Sequence, residues 1–167
     1  RATRVFDADD ARRLAQKRLP RLIFDFVEGA AGREVASARN ARRFDAVFMQ
    51  PRVMQDVAER YLSTAFLGQS YDLPFGVAPM GMCNLSCPHA DRFIGLAGRK
   101  RGMPVCLSSA ASSTIEDMYG WGGTNAWFQL YVGPSMDHSM SLVERARTAG
   151  YDTLILTVDV PQVSRRT

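Results

Sequence analysis

Apolar residues recur in two different rhythms along this chain, and the change falls near residue 60. In DADDARRLAQKRLPRLIFDFVEGAAG (7–32), the leading acids can cap a helix. Leu14, Leu19, Leu22, Ile23, Phe26 and Val27 then follow at near-helical spacing. Pro20 removes a backbone donor and splits the segment into two helices, and the glycines from Gly29 to Gly32 end the second. RNARRFDAVFMQPRVM (39–54) predicts one more short helix, running into an extended stretch before Pro51.

Beyond residue 61 the runs shorten and become strand-like. STAFLG and YDLP predict a short strand and a turn. PFGVAPMG (74–81), MPVCLSS (103–109), AWFQLYV (126–132) and YDTLILTVDV (151–160) are continuous apolar runs, the mark of parallel strands buried on both faces. Between them lie three helical stretches. The first is 91–102, closed by Gly102. The second, 113–123, opens on a Ser/Thr-x-x-Glu/Asp capping pattern. The third is 135–150, capped by Ser135 and closed by Gly150. Crossovers of about 20 residues fit the strand–helix–strand unit.

Two α/β architectures contain that repeat, an open doubly wound sheet and a (β/α)8 TIM barrel. No Gly-x-Gly-x-x-Gly follows the first long strand, which argues against a dinucleotide-binding sheet. Polar residues gather at the C-terminal strand ends, where barrels carry their sites: Ser108 and Ser109, Gln129 and Tyr131, Thr157 and Asp159. The expectation is therefore the N-terminal half of a barrel, strands one to four over 61–167, preceded by a helical segment over 1–60. Four strands are half a barrel, so a second half is expected as a further segment, a second fragment or a partner. Thr167 is expected to mark a cleavage or disorder boundary, and the start at Arg1 rather than Met to reflect trimming.

Composition narrows the classes. Hydrophobic residues make up 46% and charged residues 23%, an ordinary globular balance. The net charge of +4 comes almost wholly from arginines, and the cluster Arg12, Arg13, Lys17, Arg18, Arg21 has no interleaved aromatics. It reads as a solvated helix face, with no nucleic-acid partner expected. Three cysteines give no disulfide framework and suit a reducing, cytoplasmic setting. Cys83 and Cys87 lie four apart with no ligand pair following, so no metal site is expected. No apolar run reaches the ~18 residues of a membrane span.

The chemistry concentrates on two strands. Gln129 and Tyr131 lie two apart and so share a face, and Thr157 and Asp159 repeat the spacing. Each alone fits a satisfied core polar group, but four polar side chains on two apolar strands point to a ligand.

These residues carry a resemblance. RLPRLIFDFVEGAAGRE (18–34), Asn40 to Phe44, APMG (78–81), LSSAASSTIED (107–117), WFQLYV (127–132) and LTVDVPQVSRR (156–166) resemble the N-terminal half of the FMN-dependent L-2-hydroxy-acid dehydrogenases and oxidases, the lactate, glycolate and mandelate enzymes. The resemblance implies a (β/α)8 barrel, FMN as cofactor, and oxidation of an L-2-hydroxy acid to the 2-oxo acid with hydride passing to flavin N5. It places Ala78, Pro79, Met80 and Gly81 against the flavin ring, and Ser108, Gln129 and Thr157 on its polar edge. It makes Tyr131 a substrate contact at the reacting carbon, Asp159 the group that orients the catalytic histidine, and Arg166 a ligand for the substrate carboxylate. That histidine, the main carboxylate-binding arginine and a flavin-facing lysine belong to the family's C-terminal half. His89 and His138 are read as structural or solvated.

The departures matter for substrate and acceptor. Phe26 stands where the family usually has a tyrosine whose hydroxyl meets the carboxylate. Ala110 replaces a bulky tryptophan of the glycolate branch and leaves room for a larger, mandelate-like side group beside a lactate-like one. Gly81, where oxidases tend to have alanine, favours a non-oxygen acceptor. A homotetramer is implied by the resemblance, and membrane association stays open because some members carry a membrane-binding segment just past this region. Two other readings stand beside this one: an inert flavin-binding or assembly relative, and an FMN barrel acting on a non-acid substrate.

Overall fold

A computed structural model describes residues 5–159. Arg166 lies outside them, as does the boundary expected at Thr167. The described residues form two compact units, 5–57 and Ala58–Asp159.

The first unit is helical. Helix α1 (Ala8–Arg18) starts where the Asp7 carboxylate accepts the Asp10 amide, and carries acids in its first turn and Lys17 and Arg18 in its last. Both ends therefore complement the helix dipole. Pro20 breaks the pattern as expected and stands at the N-cap of α2 (Arg21–Glu28). The Arg12 guanidinium lies 5.7 Å from the Phe24 ring centroid and pairs with Glu28, joining α1 to α2. Helix α3 (Val35–Phe44) begins ahead of the apolar pattern at 39–54. Its start is set by Glu34, whose carboxylate accepts the Ala30 amide and whose carbonyl accepts the Ala38 amide. Hydrogen bonding, not hydrophobic periodicity, decides that boundary.

The second unit opens with a β-hairpin, β1 (Thr64–Phe66) and β2 (Gln69–Tyr71), where the sequence pattern shows one strand and a turn. The connection is Leu67–Gly68, both with positive φ (51° and 77°). A two-residue hairpin turn needs that backbone, and glycine supplies it readily while leucine does so only under constraint. The unlikely leucine is why the second strand is hard to see in the sequence.

Four parallel strands follow in sequential order: β3 (Val77–Met80), β4 (Val105–Ser108), β5 (Ala126–Tyr131) and β6 (Leu154–Thr157). Helices α4 (Ala90–Arg101), α5 (Ile115–Gly122) and α6 (Met136–Ala149) make the crossovers. The expected caps form: Thr114 Oγ1 accepts from the Asp117 amide at 3.0 Å and Ser135 Oγ from the His138 amide at 3.3 Å. Strand alternation separates two faces. Val105, Leu107, Ala126, Phe128 and Leu130 meet Ile115, Met118 and Ala146 of the helices in the main core. Cys106, Trp127 and Ile155 form the other face and pack against Tyr71 of the hairpin. Burial on both faces holds for β4 and for β5 up to Leu130, whereas β3 and β6, at the sheet edges, are half-exposed. The strand order, the helices on one face and the repeat length are those of one half of a (β/α)8 barrel.

The hairpin is fastened to the sheet by Trp127. Its indole stacks on Phe66 at 5.9 Å and its Nε1–H donates to the Tyr71 hydroxyl at 3.0 Å. Both Trp127 and Tyr71 are buried. Tyr71→Phe keeps the ring but strands a buried indole N–H. Urea unfolding of the full-length protein should show a loss of about 1–3 kcal/mol.

Candidate functional site

The site grows from the face of the parallel sheet that the helices do not cover. Register places Cys106 beside Trp127, Ser108 beside Gln129, Gln129 beside Ile155 and Tyr131 beside Thr157. Moving toward the C-terminal ends, this face passes from an apolar row, Cys106–Trp127–Ile155, to a polar row, Ser108–Gln129–Thr157, and then to Tyr131.

The apolar row borders a cavity of about 460 Å3 closed on its other side by the hairpin and the 73–79 segment. Ala78 and Pro79 line it as well. Its lining offers few polar groups, so it can take hydrophobic bulk but cannot recognise the rim of a polar heterocycle. Burial pushes the Cys106 thiol up to about 12, which leaves it a packing group rather than a nucleophile.

The polar row is a continuous chain of hydrogen bonds across three strands. Ser108 Oγ donates to Gln129 Oε1 at 2.9 Å, and Gln129 Nε2 donates to Thr157 Oγ1 at 2.8 Å. The Ser109 amide, which can only donate, lies 3.3 Å from Gln129 Oε1 and fixes which end of the amide is the oxygen. Ser108 Oγ accepts in turn from the Ala110 amide at 3.1 Å. Gln129 is 1% exposed, so its primary amide is held without freedom to turn. A count of donors shows what is left over: the second N–H of Gln129 and the hydroxyl proton of Thr157. A polar row that continues the apolar one and ends on the half-buried Thr157 hydroxyl suits the carbonyl-rich edge of a flavin pyrimidine ring, so the residues present fit FMN.

The remaining expected residues fall around this row. Ala78 and Met80 of β3 are exposed and Pro79 half-buried. Gly81 follows directly, and a Cβ built there would lie 3.3 Å from the Ala110 Cβ. Ala110 itself is exposed. The Tyr131 side chain is about half-exposed, with its amide donating to Ser109 Oγ at 3.1 Å. Asp159 lies two residues past Thr157, beyond the end of β6, and is exposed. Phe26 belongs to the helical unit, on α2, and is 45% exposed. His89 precedes α4 and His138 stands in the first turn of α6, both exposed. Among the described residues no group of three His, Cys, Asp or Glu side chains could hold a metal, and no helix is long and apolar enough to cross a membrane.

Sequence reasoning passed over Asp91, Ser112 and Asn84. Asp91 is 3% exposed and accepts the Ser112 amide at 3.1 Å, while Ser112 Oγ accepts the Asn84 amide at 3.2 Å. An acid in the first turn of a helix is ordinary, so nothing in the sequence distinguishes Asp91.

The family model for FMN-dependent dehydrogenase matches residues 15–167. A putative L-lactate dehydrogenase of Mycobacterium tuberculosis is 37% identical over 158 residues, covering 94% of this chain and 38% of that protein. The (S)-mandelate dehydrogenase of Pseudomonas putida is 35% identical over 156 residues, covering 93% of this chain and 39% of the relative. The solved structure of a soluble mutant of the membrane-associated (S)-mandelate dehydrogenase from Pseudomonas putida superposes with a TM-score of 0.91 at 34% identity, covering 98% of this chain and 46% of that one. The chain spans less than half the length of these relatives.

Gln129 is the sharpest point of test. Gln129→Leu keeps the volume but removes the amide that bridges the Ser108 and Thr157 hydroxyls, while the Ser109 amide keeps its 2.9 Å bond to the residue 129 carbonyl. Chemical denaturation of the full-length protein should show about 2–4 kcal/mol of lost stability.

Proposed function

The chain belongs to the FMN-dependent dehydrogenase family, and on that footing we propose that this protein oxidises an L-2-hydroxy acid to the 2-oxo acid. The observation that carries the reading is the Ser108–Gln129–Thr157 row, a polar strip that ends on the half-buried Thr157 hydroxyl on the helix-free face of a parallel sheet. FMN, when bound, supplies the two-electron acceptor.

The chain's own residues then divide the work. Ser108, Gln129 and Thr157 orient the polar edge of the ring, with the backbone of Ala78 to Gly81 beside it. Tyr131 donates its phenol to the substrate at the reacting carbon. Asp159 orients and charge-stabilises a histidine general base, as the acid of a catalytic triad does for its imidazole. Arg166 grips the substrate carboxylate with its guanidinium fork. The histidine and a second carboxylate-binding arginine come from sequence beyond this chain, on a C-terminal half. The resemblance also supports a homo-oligomer and leaves room for peripheral membrane attachment.

The substrate side group is set near Ala110. Its small, exposed side chain favours an aromatic, mandelate-like acid, with a lactate-like acid as the smaller choice. Gly81 beside it favours a dehydrogenase that passes electrons to an acceptor other than oxygen. Phe26 lacks the hydroxyl expected for carboxylate binding, which supports a second reading: a flavin-binding relative without turnover.

Full-length protein loaded with FMN should absorb near ~450 nm and bleach on anaerobic mixing with (S)-mandelate or L-lactate. Flavin that stays oxidised across a panel of 2-hydroxy acids rejects the enzyme reading in favour of the inert one. Tyr131→Phe should lower kcat about 10- to 100-fold while the flavin spectrum stays intact, measured by stopped-flow reduction.

A further inference from the structure

Two loops leave the C-terminal ends of the first two parallel strands, and they are laced together. Residues 81–89 follow β3 and include the short 3-10 turn Cys83–Leu85. Residues 109–114 follow β4. The Met82 amide donates to the Ala110 carbonyl at 3.0 Å, and the Asn84 amide to Ser112 Oγ at 3.2 Å. At the root of both stands Asp91, in the first turn of α4. Its Oδ2 accepts the Ser112 amide at 3.1 Å. Cys83, whose thiol reaches the Met80 carbonyl at 3.6 Å, is pushed up by burial first and then by the charge of Asp91.

A carboxylate this deeply buried is costly unless its hydrogen bonds are worth more in place than in water. Asp91 adjoins no cation among the described ion pairs. It lines, with Cys83, Met80 and Ser108, a cavity of about 10 Å3, room for about one water molecule. Its role is therefore to hold backbone. The backbone it holds leads to Gly81 and Ala110, which face each other across the two loops. At that point Gly81 and Ala110 leave so little space that an added Cβ would sit 3.3 Å from the Ala110 Cβ and 3.4 Å from its carbonyl oxygen.

We propose that Asp91 is a positioning residue that sets the spacing between the Gly81 and Ala110 loops, and so determines how large a side group the substrate can carry beside Ala110. The inference rests on the function proposed above. The carboxylate fixes Ser112 and Ser112 fixes Asn84, and these bonds back the single direct tie between the loops, from the Met82 amide to the Ala110 carbonyl.

The test uses FMN-loaded, full-length protein with Asp91→Ala, Asp91→Asn and Ser112→Ala. In Asp91→Ala, amide hydrogen exchange should rise about tenfold or more in 82–86 and 109–114 while 126–131 stays protected. The ratio of kcat/KM for (S)-mandelate over L-lactate should shift about fivefold or more. Asp91→Asn keeps an acceptor for the Ser112 amide and should restore both readouts to within about twofold of the parent. Should Asp91→Ala fail to fold, Ser112→Ala, which cuts only the link to Asn84, must move the same ratio in the same direction. Unchanged loop exchange, exchange that rises uniformly through the sheet, or an unaltered substrate ratio overturns the proposal. If the parent protein is not bleached by any hydroxy acid, the functional reading fails on that ground, and the exchange measurement alone still decides whether Asp91 holds the loops.

Discussion

One side chain organises the upper face of the sheet. Gln129 is buried, and its amide accepts from Ser108 and Ser109 and donates to Thr157. A primary amide removed from water must have its donors and acceptors met, or the fold loses a few kcal/mol. Meeting them here requires β4, β5 and β6 to stand in one register. The same bond that ties β5 to β4 therefore also fixes where the polar row ends and the apolar row begins. The site's recognition chemistry and the sheet's alignment are one constraint.

That constraint explains the division of labour along the face. Near the N-terminal ends the face carries aromatic packing, with Phe66 and Tyr71 on Trp127. Near the C-terminal ends it becomes polar, then exposed. The opposite face is a continuous hydrophobic layer against α4, α5 and α6. Rigid strands present the polar groups, and the short loops that follow them carry Gly81 and Ala110. Binding chemistry placed on strands is held more tightly than chemistry placed on loops, so the loops need their own anchor.

Much of this can be read from the residues themselves. The apolar runs at 103–109 and 126–132 give the central strands, and Thr114, Ser135, Gly102 and Gly150 give the helix ends, because capping is local physics. The two-residue spacing of Gln129 and Tyr131 places both on one face for the same reason. What cannot be read is whatever depends on register between strands. Ser108 and Thr157 meet Gln129 only because three strands align, and no local pattern states that. The β1–β2 pairing hides behind a leucine in a left-handed turn. Asp91 hides because a helix-first-turn acid is commonplace, and its value comes from a partner 21 residues away. Arg166 lies beyond the described residues. Phe26 is visible as a departure, but its meaning depends on what its ring faces.

The bond between Trp127 and Tyr71 spans 56 residues, and this separation has a consequence during synthesis. The hairpin can pair its own strands within microseconds, yet two strands alone are marginal in water. Its docking surface does not exist until Trp127 has been made. At ribosomal rates of 5–20 residues per second, the delay is about 3 to 11 s. Throughout that interval Phe66 and Tyr71 lack the indole on which they pack in the folded chain. The hairpin is thus made well before the strand on which it comes to rest.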